Sequence, residues 1–409
     1  MSKVTIGSKI NGFEIFSPSG DGTPLDFSLQ TNGIKYYEDI TDISTHLEIG
    51  VLDVFGRYNK LPVRSGNKMA LEIESNGAVL DQKMKISNIL GYTASAKREM
   101  YTIICEPQTA FDNHTSRITR KFTGNISDNI KTIVEEMGGE MTRTDPSSNT
   151  FSFCGGYRRP LFACTWLAKK CVHAKNEMSA NKGSAGFFFF QTQDGFTLLD
   201  INKAFEGKNK DNVVNYEYKI GKSTIDAGNY FTLSAQPVIQ SNHNVLQQLS
   251  VGHYKTANWF YDITTRQVSF AEYSYRDSDS EIQKSADERV IPKGIDDRYS
   301  RILLQTVDNG ALEPDGTVSS KSEESYFRQA QATARYSSLF SQVTKVIVPV
   351  NLKLRAGEVI YLKLPEINTT RTTGPQSGLY LISKLCHQFG GDKDYTGLEL
   401  VRDSYQELT

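Results

Sequence analysis

RSGNKMALEIE (residues 64–74) and RAGEVIYLKLP (residues 355–365) are the two stretches whose comparison decides the fold. Each opens Arg-x-Gly, a turn in which glycine makes a positive φ easy, and each enters a strand whose apolar residues alternate in a similar phase. Further along, Ile86–Ser87 followed by Ile89 is matched by Ile382–Ser383 followed by Leu385. Later still, Tyr101–Thr102 with Ile103–Ile104 is matched by Tyr395–Thr396 with Leu398 and Leu400. The offset between the copies drifts by a few residues, as small loop insertions would make it. A kept order of turn, strand, loop, strand, turn and strand implies one small β-barrel present twice.

The surrounding texture agrees. Gly33–Ile40, His46–Phe55, Lys68–Glu74, Met84–Leu90 and Tyr101–Cys105 alternate at a period near two and are separated by turn-formers, which predicts a small antiparallel barrel. The pattern then changes to helical spacing at Ser127–Met137 and Pro160–Ala174, followed by a hairpin, Gly186–Gln191 with Gly195–Asp200. Strand texture returns at Tyr216–Ile220, Lys255–Ile263 and Gln267–Tyr275; Arg276–Lys293 is polar enough for a surface excursion, and Ser322–Ser341 has the spacing of a helix. Thr344–Leu352, Val359–Leu364, Leu379–His387 and Tyr395–Val401 complete the strands. The expected division is a first barrel over 1–107 and an α/β insertion over 108–224. A second, discontinuous barrel covers 225–275 and 341–409, with a surface excursion and helix over 276–340. The fold class is mainly β with α/β insertions. Three copies of a chain with two equivalent barrels can close a ring of six similar units.

Composition narrows the function. With 46 Lys and Arg against 47 Asp and Glu in 409 residues, the formal net charge is −1, so there is no global field for nucleic acid or anionic membrane. Aromatics make up 11% of the chain, which suits many half-buried strands. Cys105, Cys154, Cys164, Cys171 and Cys386 are odd in number and scattered, which speaks against a disulfide framework and for a reducing cytoplasm. Met1–Ser2–Lys3 leads into polar sequence, so no secretory signal is expected; the most apolar run, Phe187–Phe190, is too short to cross a membrane.

No chemistry-bearing motif emerges. His46, His114, His173, His243, His253 and His387 form no short metal-ligand pair, and Cys171-x-His173 is expected on different faces of a helix. Cys164 and Cys171 are seven apart, as core positions on one helical face would be. Gly138–Gly139, Gly155–Gly156 and Gly390–Gly391 read as turns, with no phosphate-binding loop around them. Asp39, Asp42 and Glu48 are carboxylates without a known separation, and read as a solvated face. Arg117, Arg120, Lys121, Arg158–Arg159 and Lys169–Lys170 form basic clusters that read first as solvated faces, and otherwise as contacts to an acidic neighbour or to nucleic acid in transit. No residue is assigned a catalytic, cofactor-binding or metal-binding role.

Taken together in order, Tyr36–Ile40 with Leu52–Asp53, Gly186–Phe190 leading to Asp194–Phe196, Asn351–Val359, Gly378–Phe389, Tyr395–Thr396 and Leu400–Tyr405 resemble the myophage baseplate central hub proteins. The resemblance covers most of the chain. It implies a structural, non-enzymatic virion protein, assembled in the host cytoplasm. Such a protein is a homotrimer of two tube-like barrels per chain with peripheral insertions. Its pseudo-sixfold ring adapts a hexameric tail tube to a trimeric central spike, contacts wedge proteins, and encloses the channel through which the tape-measure protein and DNA pass. In related secretion-system proteins hub and spike are fused, and this sequence departs from that pattern. A different reading takes Trp259 with Phe260–Tyr261 as the sugar platform of a peripheral adhesin, and a third is a cell-wall hydrolase on the same scaffold.

Overall fold

Alternation at period two builds the first half of the molecule. In the computed structural model, which describes residues 8–17, 23–60, 63–174, 184–218, 230–277, 284–285, 294–307, 326, 328–364, 374, 376–390 and 394–404, seven strands curl around one apolar core. They are β1 Lys9–Ile15, β2 Leu25–Asp26, β3 Thr31–Asp39, β4 His46–Asp53, β5 Lys68–Ser75, β6 Ala78–Ala94 and β7 Glu99–Glu106. In β4 every second residue is buried, so Leu47, Ile49 and Val51 enter the core with Ile34 and Tyr36 of β3 and Tyr101, Ile103 and Cys105 of β7. The lateral order is β3-β4-β7-β6-β5-β1-β2.

The insertion has β8 Lys121–Phe122, β9 Met141–Thr144, β10 Phe153–Cys154, β11 Phe187–Thr192 and β12 Gly195–Asp200, the helices α1 Ile126–Glu136 and α2 Pro160–Ala168, and shorter helices at Gln108–Thr115 and Ile201–Phe205. Asn125 caps α1 by accepting from the Ser127 amide, and Ile126, Ile130, Ile133 and Val134 form its buried stripe. Proline opens α2, where a missing amide proton costs nothing. The helix ends at Ala168, short of the Ala174 expected from spacing. Asn149 draws the chain away: its side chain donates to the Lys170 carbonyl (2.8 Å) and accepts from the Val172 amide (3.0 Å). Cys171 and His173 therefore lie beyond the helix, with His173 bridging Ser147, and not on two faces of it.

The second half uses β13 Val214–Glu217, β14 Tyr230–Thr232, β15 Val238–Asn242, β19 Gln342–Pro349, β20 Val359–Lys363, β21 Gly378–Phe389 and β22 Tyr395–Arg402. Their lateral order is β15-β19-β22-β21-β20-β13-β14, the order of the first half strand for strand. The likeness extends to single hydrogen bonds. The Gly66 amide donates to the Ile86 carbonyl (2.7 Å) and the Ile86 amide to the Asn67 carbonyl (2.9 Å). Likewise the Gly357 amide donates to Ile382 (2.9 Å) and the Ile382 amide to Glu358 (2.8 Å), with φ +96° at Gly66 and +83° at Gly357. After Ile86 the ladder to β7 shifts at Ser87, and after Ile382 the ladder to β22 shifts at Ser383. Both bulge serines donate across the ladder, Ser87 to the Ile104 carbonyl (3.2 Å) and Ser383 to the Glu399 carbonyl (2.9 Å). One strand is reversed between the copies: β1 runs antiparallel to both β5 and β2, whereas β13 runs parallel to both β20 and β14.

These ladders correct the last step of the sequence alignment. Ile89 faces Ile103 and Leu385 faces Leu398, so Tyr101 corresponds to Thr396, one position beyond the Tyr395 that the Tyr-Thr match suggested. A second correction concerns Lys255–Asp262 (β16) and Val268–Ser274 (β17), which fall within the span assigned by patterning to the second barrel. They stand in a separate sheet with Arg301–Val307 (β18), a strand within the stretch read as a surface excursion. Alternation marks a strand without naming its partner. Tyr254, Tyr273 and Tyr275 join this sheet to helix α3, Gln329–Leu339. Met1–Lys3, 219–220, most of 276–293, 322–325, Phe327, Gly391 and Tyr405 lie outside the described residues.

The halves join edge to edge. The N-terminal part of β21 pairs with β20, while Lys384–Phe389 pairs antiparallel with Ile34–Asp39 of β3, and β22 lines the other edge from Leu381 to Gln388. One continuous wall results, β15-β19-β22-β21-β3-β4-β7-β6.

Candidate assembly surface

One face of this wall is buried in the cores; the other carries paired charges over its middle strands, with Ile104 and Ile347 half-buried among them and Leu90 and Val238 exposed at its two ends. Across the polar face Lys345, Glu399, Lys384 and Asp39 are direct neighbours on successive strands. Lys345 lies 3.9 Å from Glu399, and Lys384 lies 3.1 Å from Asp39. On adjacent strands of the same face Lys35 is 4.0 Å from Glu48, the Tyr37 hydroxyl donates to Glu48 (3.3 Å), and the Tyr37 ring stacks on His46 at 4.4 Å. Exposed pairs of this kind contribute roughly 0–1 kcal/mol each, so their larger effect is on the sign of the surface. Lysines and carboxylates cancel. A polyanion moving along such a face finds no cluster of cations to displace its counterions.

Asp39 and Glu48 are thus engaged in this face. Asp39 also accepts from the amide and hydroxyl of Thr41 (2.7 and 2.6 Å), and Asp42 accepts from the Ile43 amide (2.7 Å).

A carboxylate that sequence reasoning passed over holds three parts of the chain together. Glu38 follows Ile34 and Tyr36 on the inward phase of β3 and is only 2% exposed. It accepts from the Gln193 amide of the β11–β12 hairpin (2.7 Å), the Ala356 amide of the second half (2.8 Å) and the Tyr36 hydroxyl (3.1 Å). Burial outweighs these donors and raises its pKa to about 7. Beside it Arg355 holds Asp194 in a two-point contact (2.7 and 3.0 Å) and donates to the carbonyls of Leu352 and Leu354. A carboxylate at an apolar phase was the available signal. His387, opposite Tyr36 and stacked on it, donates or accepts at Nδ1 with Thr396 (2.9 Å), while its buried Nε2 has no partner among the described residues. Burial lowers its pKa to about 3.

The remaining singled-out residues disperse. Cys164 and Cys171 share the insertion core, where burial raises both thiols. His173 pairs with Asp200, and Asp200 also accepts from the Asn202 amide (2.9 Å). Asn202 in turn accepts from Arg335, which pairs with Asp403 at full burial. This chain of buried polar groups ties the insertion to α3 and to the end of β22. Of the basic clusters, Arg120 lies over Phe122, Arg158 over Trp166, and Lys170 over Phe151, Trp166 and Tyr326. Burial lowers the Lys170 pKa to about 8. Arg117 donates to the carbonyls of His114 and Ser116. Among the described residues no three His, Cys, Asp or Glu side chains converge as ligands, and no helix is long and apolar enough to cross a membrane.

Trp259 and Tyr261 are exposed on the outer face of β16, while Phe260 between them is buried. Trp259 packs on Phe270 at 4.7 Å and lies opposite Leu304, which is 82% exposed, with Ile302 and Val268 in the neighbouring rows. The aromatic face is therefore flanked by aliphatic side chains.

No family model matches the chain, and no curated protein sequence matches it. Solved structures do share its fold. A 43 kDa tail protein of a prophage from Shewanella oneidensis superposes with a TM-score of 0.56 at 12% identity, over 96% of this chain and 99% of that one. A tail protein from Neisseria meningitidis gives 0.55 at 10% identity, over 97% of each chain. A prophage tail protein from Listeria monocytogenes gives 0.52 at 10% identity, over 96% of this chain and 95% of that one. The fold of this chain, along nearly its whole length, is that of these tail proteins.

Proposed function

We propose that the chain is the structural hub of a contractile-tail baseplate. In this reading three copies form a ring of six similar halves, which meets a hexameric tail tube on one side and a trimeric central spike on the other. The observation that carries the proposal is the single strand order present twice and joined edge to edge within one chain. Two equivalent halves taken three times convert threefold into approximate sixfold symmetry without a second gene product. The charge-paired polar face suits the wall of a channel, because the tape-measure protein and DNA would pass it without tight phosphate contacts.

The insertion and the β16–β17–β18 sheet would then face outward, toward wedge proteins. The exposed Trp259, Tyr261 and Phe270 are what a sugar platform would need. Their aliphatic neighbours Ile302, Leu304 and Val268 favour a protein partner over a glycan, which requires hydrogen-bonding side chains at its rim. The role is structural, with no cofactor, and its place is the virion tail after assembly in the host cytoplasm.

Light scattering with negative-stain electron microscopy tests the proposal. A trimeric ring with a central channel is the expected result. A lobed monomer that binds glycans, or one that hydrolyses peptidoglycan, would overturn it.

A further inference from the structure

The wall that joins the two halves ends in two open edges. At one end β15 pairs with β19 alone among the described residues, and Val238, Ile239 and Gln240 are all exposed, so neither face of that strand is covered. At the other end β5 stops pairing with β6 at Lys85, and Asn88–Ala94 pairs with β7 alone among the described residues. Leu90 and Tyr92 on that segment are 47% and 45% exposed. Protected edges carry lysine or proline, are very short, or are bulged. Each of these two has one irregularity, at Gly91–Tyr92 and at Gln240, but carries apolar residues where lysine or proline would stand.

The repeat states how such edges fit. Leu90 faces Thr102 as Cys386 faces Gly397, so Leu90 stands where Cys386 stands. On the opposite edge Ser241 faces Val343 as Tyr37 faces His46, and Ile239 faces Thr344 as Tyr36 faces Leu47. Within the chain Cys386 is paired with Tyr37, and His387 with Tyr36. The intrachain junction is therefore a template for an absent one. We infer that Asn88–Thr93 of one copy pairs antiparallel with Val238–Asn242 of the next, Leu90 opposite Ser241 and the bulge at Gly91–Tyr92 opposite Ile239. The contact is head-to-tail, with different surfaces on the two copies, so it closes only as a ring. Ile239 takes the place that Tyr36 holds in the covered junction and the bulge at Gly91–Tyr92 that of His387, while Leu90 and Val238 stand where Cys386 and Lys35 stand. The inference rests on the hub reading and names the surface by which its copies meet.

Leu90→Cys with Ser241→Cys, in a Cys154→Ser background that removes the exposed native thiol, tests it on the full-length chain. Mild oxidation should give covalent dimers and a closed trimer with nothing larger, and neither single cysteine should do so. Independently, Ile239→Lys should weaken association by about tenfold or more while leaving the far-UV circular dichroism unchanged. A trimeric ring that neither cross-links through these cysteines nor weakens with the lysine overturns the inference and leaves the hub reading intact. A wild-type chain that stays monomeric at its highest soluble concentration overturns both.

Discussion

Glu38 offers a quantitative test of the junction between the halves. Its carboxyl group is buried and its pKa is raised from 4.5 to about 7, with burial as the largest cause. A folded-state value above the unfolded one means that the folded chain holds the proton more tightly. The associated stability is fully present below the unfolded value and is lost as pH rises through about 7. At 1.36 kcal/mol per unit this is about 3 kcal/mol between pH 4.5 and 8. Glu38→Gln resembles the protonated acid in size but supplies one acceptor oxygen where the acid has two. At low pH it should be the less stable chain, by about 1–3 kcal/mol for an amide left unpaired at Gln193 or Ala356. By pH 8 that deficit should shrink by about 3 kcal/mol, because the wild type alone bears a buried charge. Urea denaturation of both chains across this range, followed by circular dichroism, measures the gap. Other groups titrate in both chains, so only the difference is informative. Parallel stability curves for the two proteins would refute the raised pKa and the burial argument behind it.

His387 has the opposite sign: its pKa is lowered to about 3, so the stability it contributes is present above 6.5 and is lost as pH falls toward 3. His387→Phe should flatten acid unfolding over that range by up to about 4–5 kcal/mol, read by fluorescence against pH. Arg335→Met leaves Asp403 buried without its main cation and should cost about 3–5 kcal/mol in denaturant titrations. Arg335→Met combined with Asp403→Leu should recover much of that loss. The two corresponding turn glycines should respond differently to alanine. At Gly66 a Cβ meets nothing within 4 Å, so strain of about 1–2 kcal/mol is the whole cost. At Gly357 a Cβ would stand 2.6 Å from the Phe190 ring, adding about 1–3 kcal/mol that a thermal melt should resolve.

Turn glycines and bulge serines were legible in the sequence because backbone geometry dictates residue type there. Gly66 and Gly357 need a positive φ, and Ser87 and Ser383 each return a hydroxyl to the facing carbonyl. The last strand was read one residue out of register because a Tyr-Thr pair occurs in both copies. The irregularity between Leu90 and Thr93 that separates them is invisible without a partner strand. Partners in general were not legible: nothing in the alternation of Lys255–Asp262 says that its neighbour is Arg301–Val307 rather than the second half. Glu38 was hidden by abundance, as one of 47 acidic residues, although its phase with Ile34 and Tyr36 set it apart.

The shared strand β21 has a mechanical consequence. Its C-terminal half is held on one side by β3 and on the other by β22, with both ladders running along the strand. A pull that draws the halves past one another loads those hydrogen bonds in shear, all at once. A pull that spreads them apart peels the ladder from one end, bond by bond. The seam is therefore stiff along the strands and weak across them. Any axial force on such a wall would fall along its strong direction only where the strands align with the thrust.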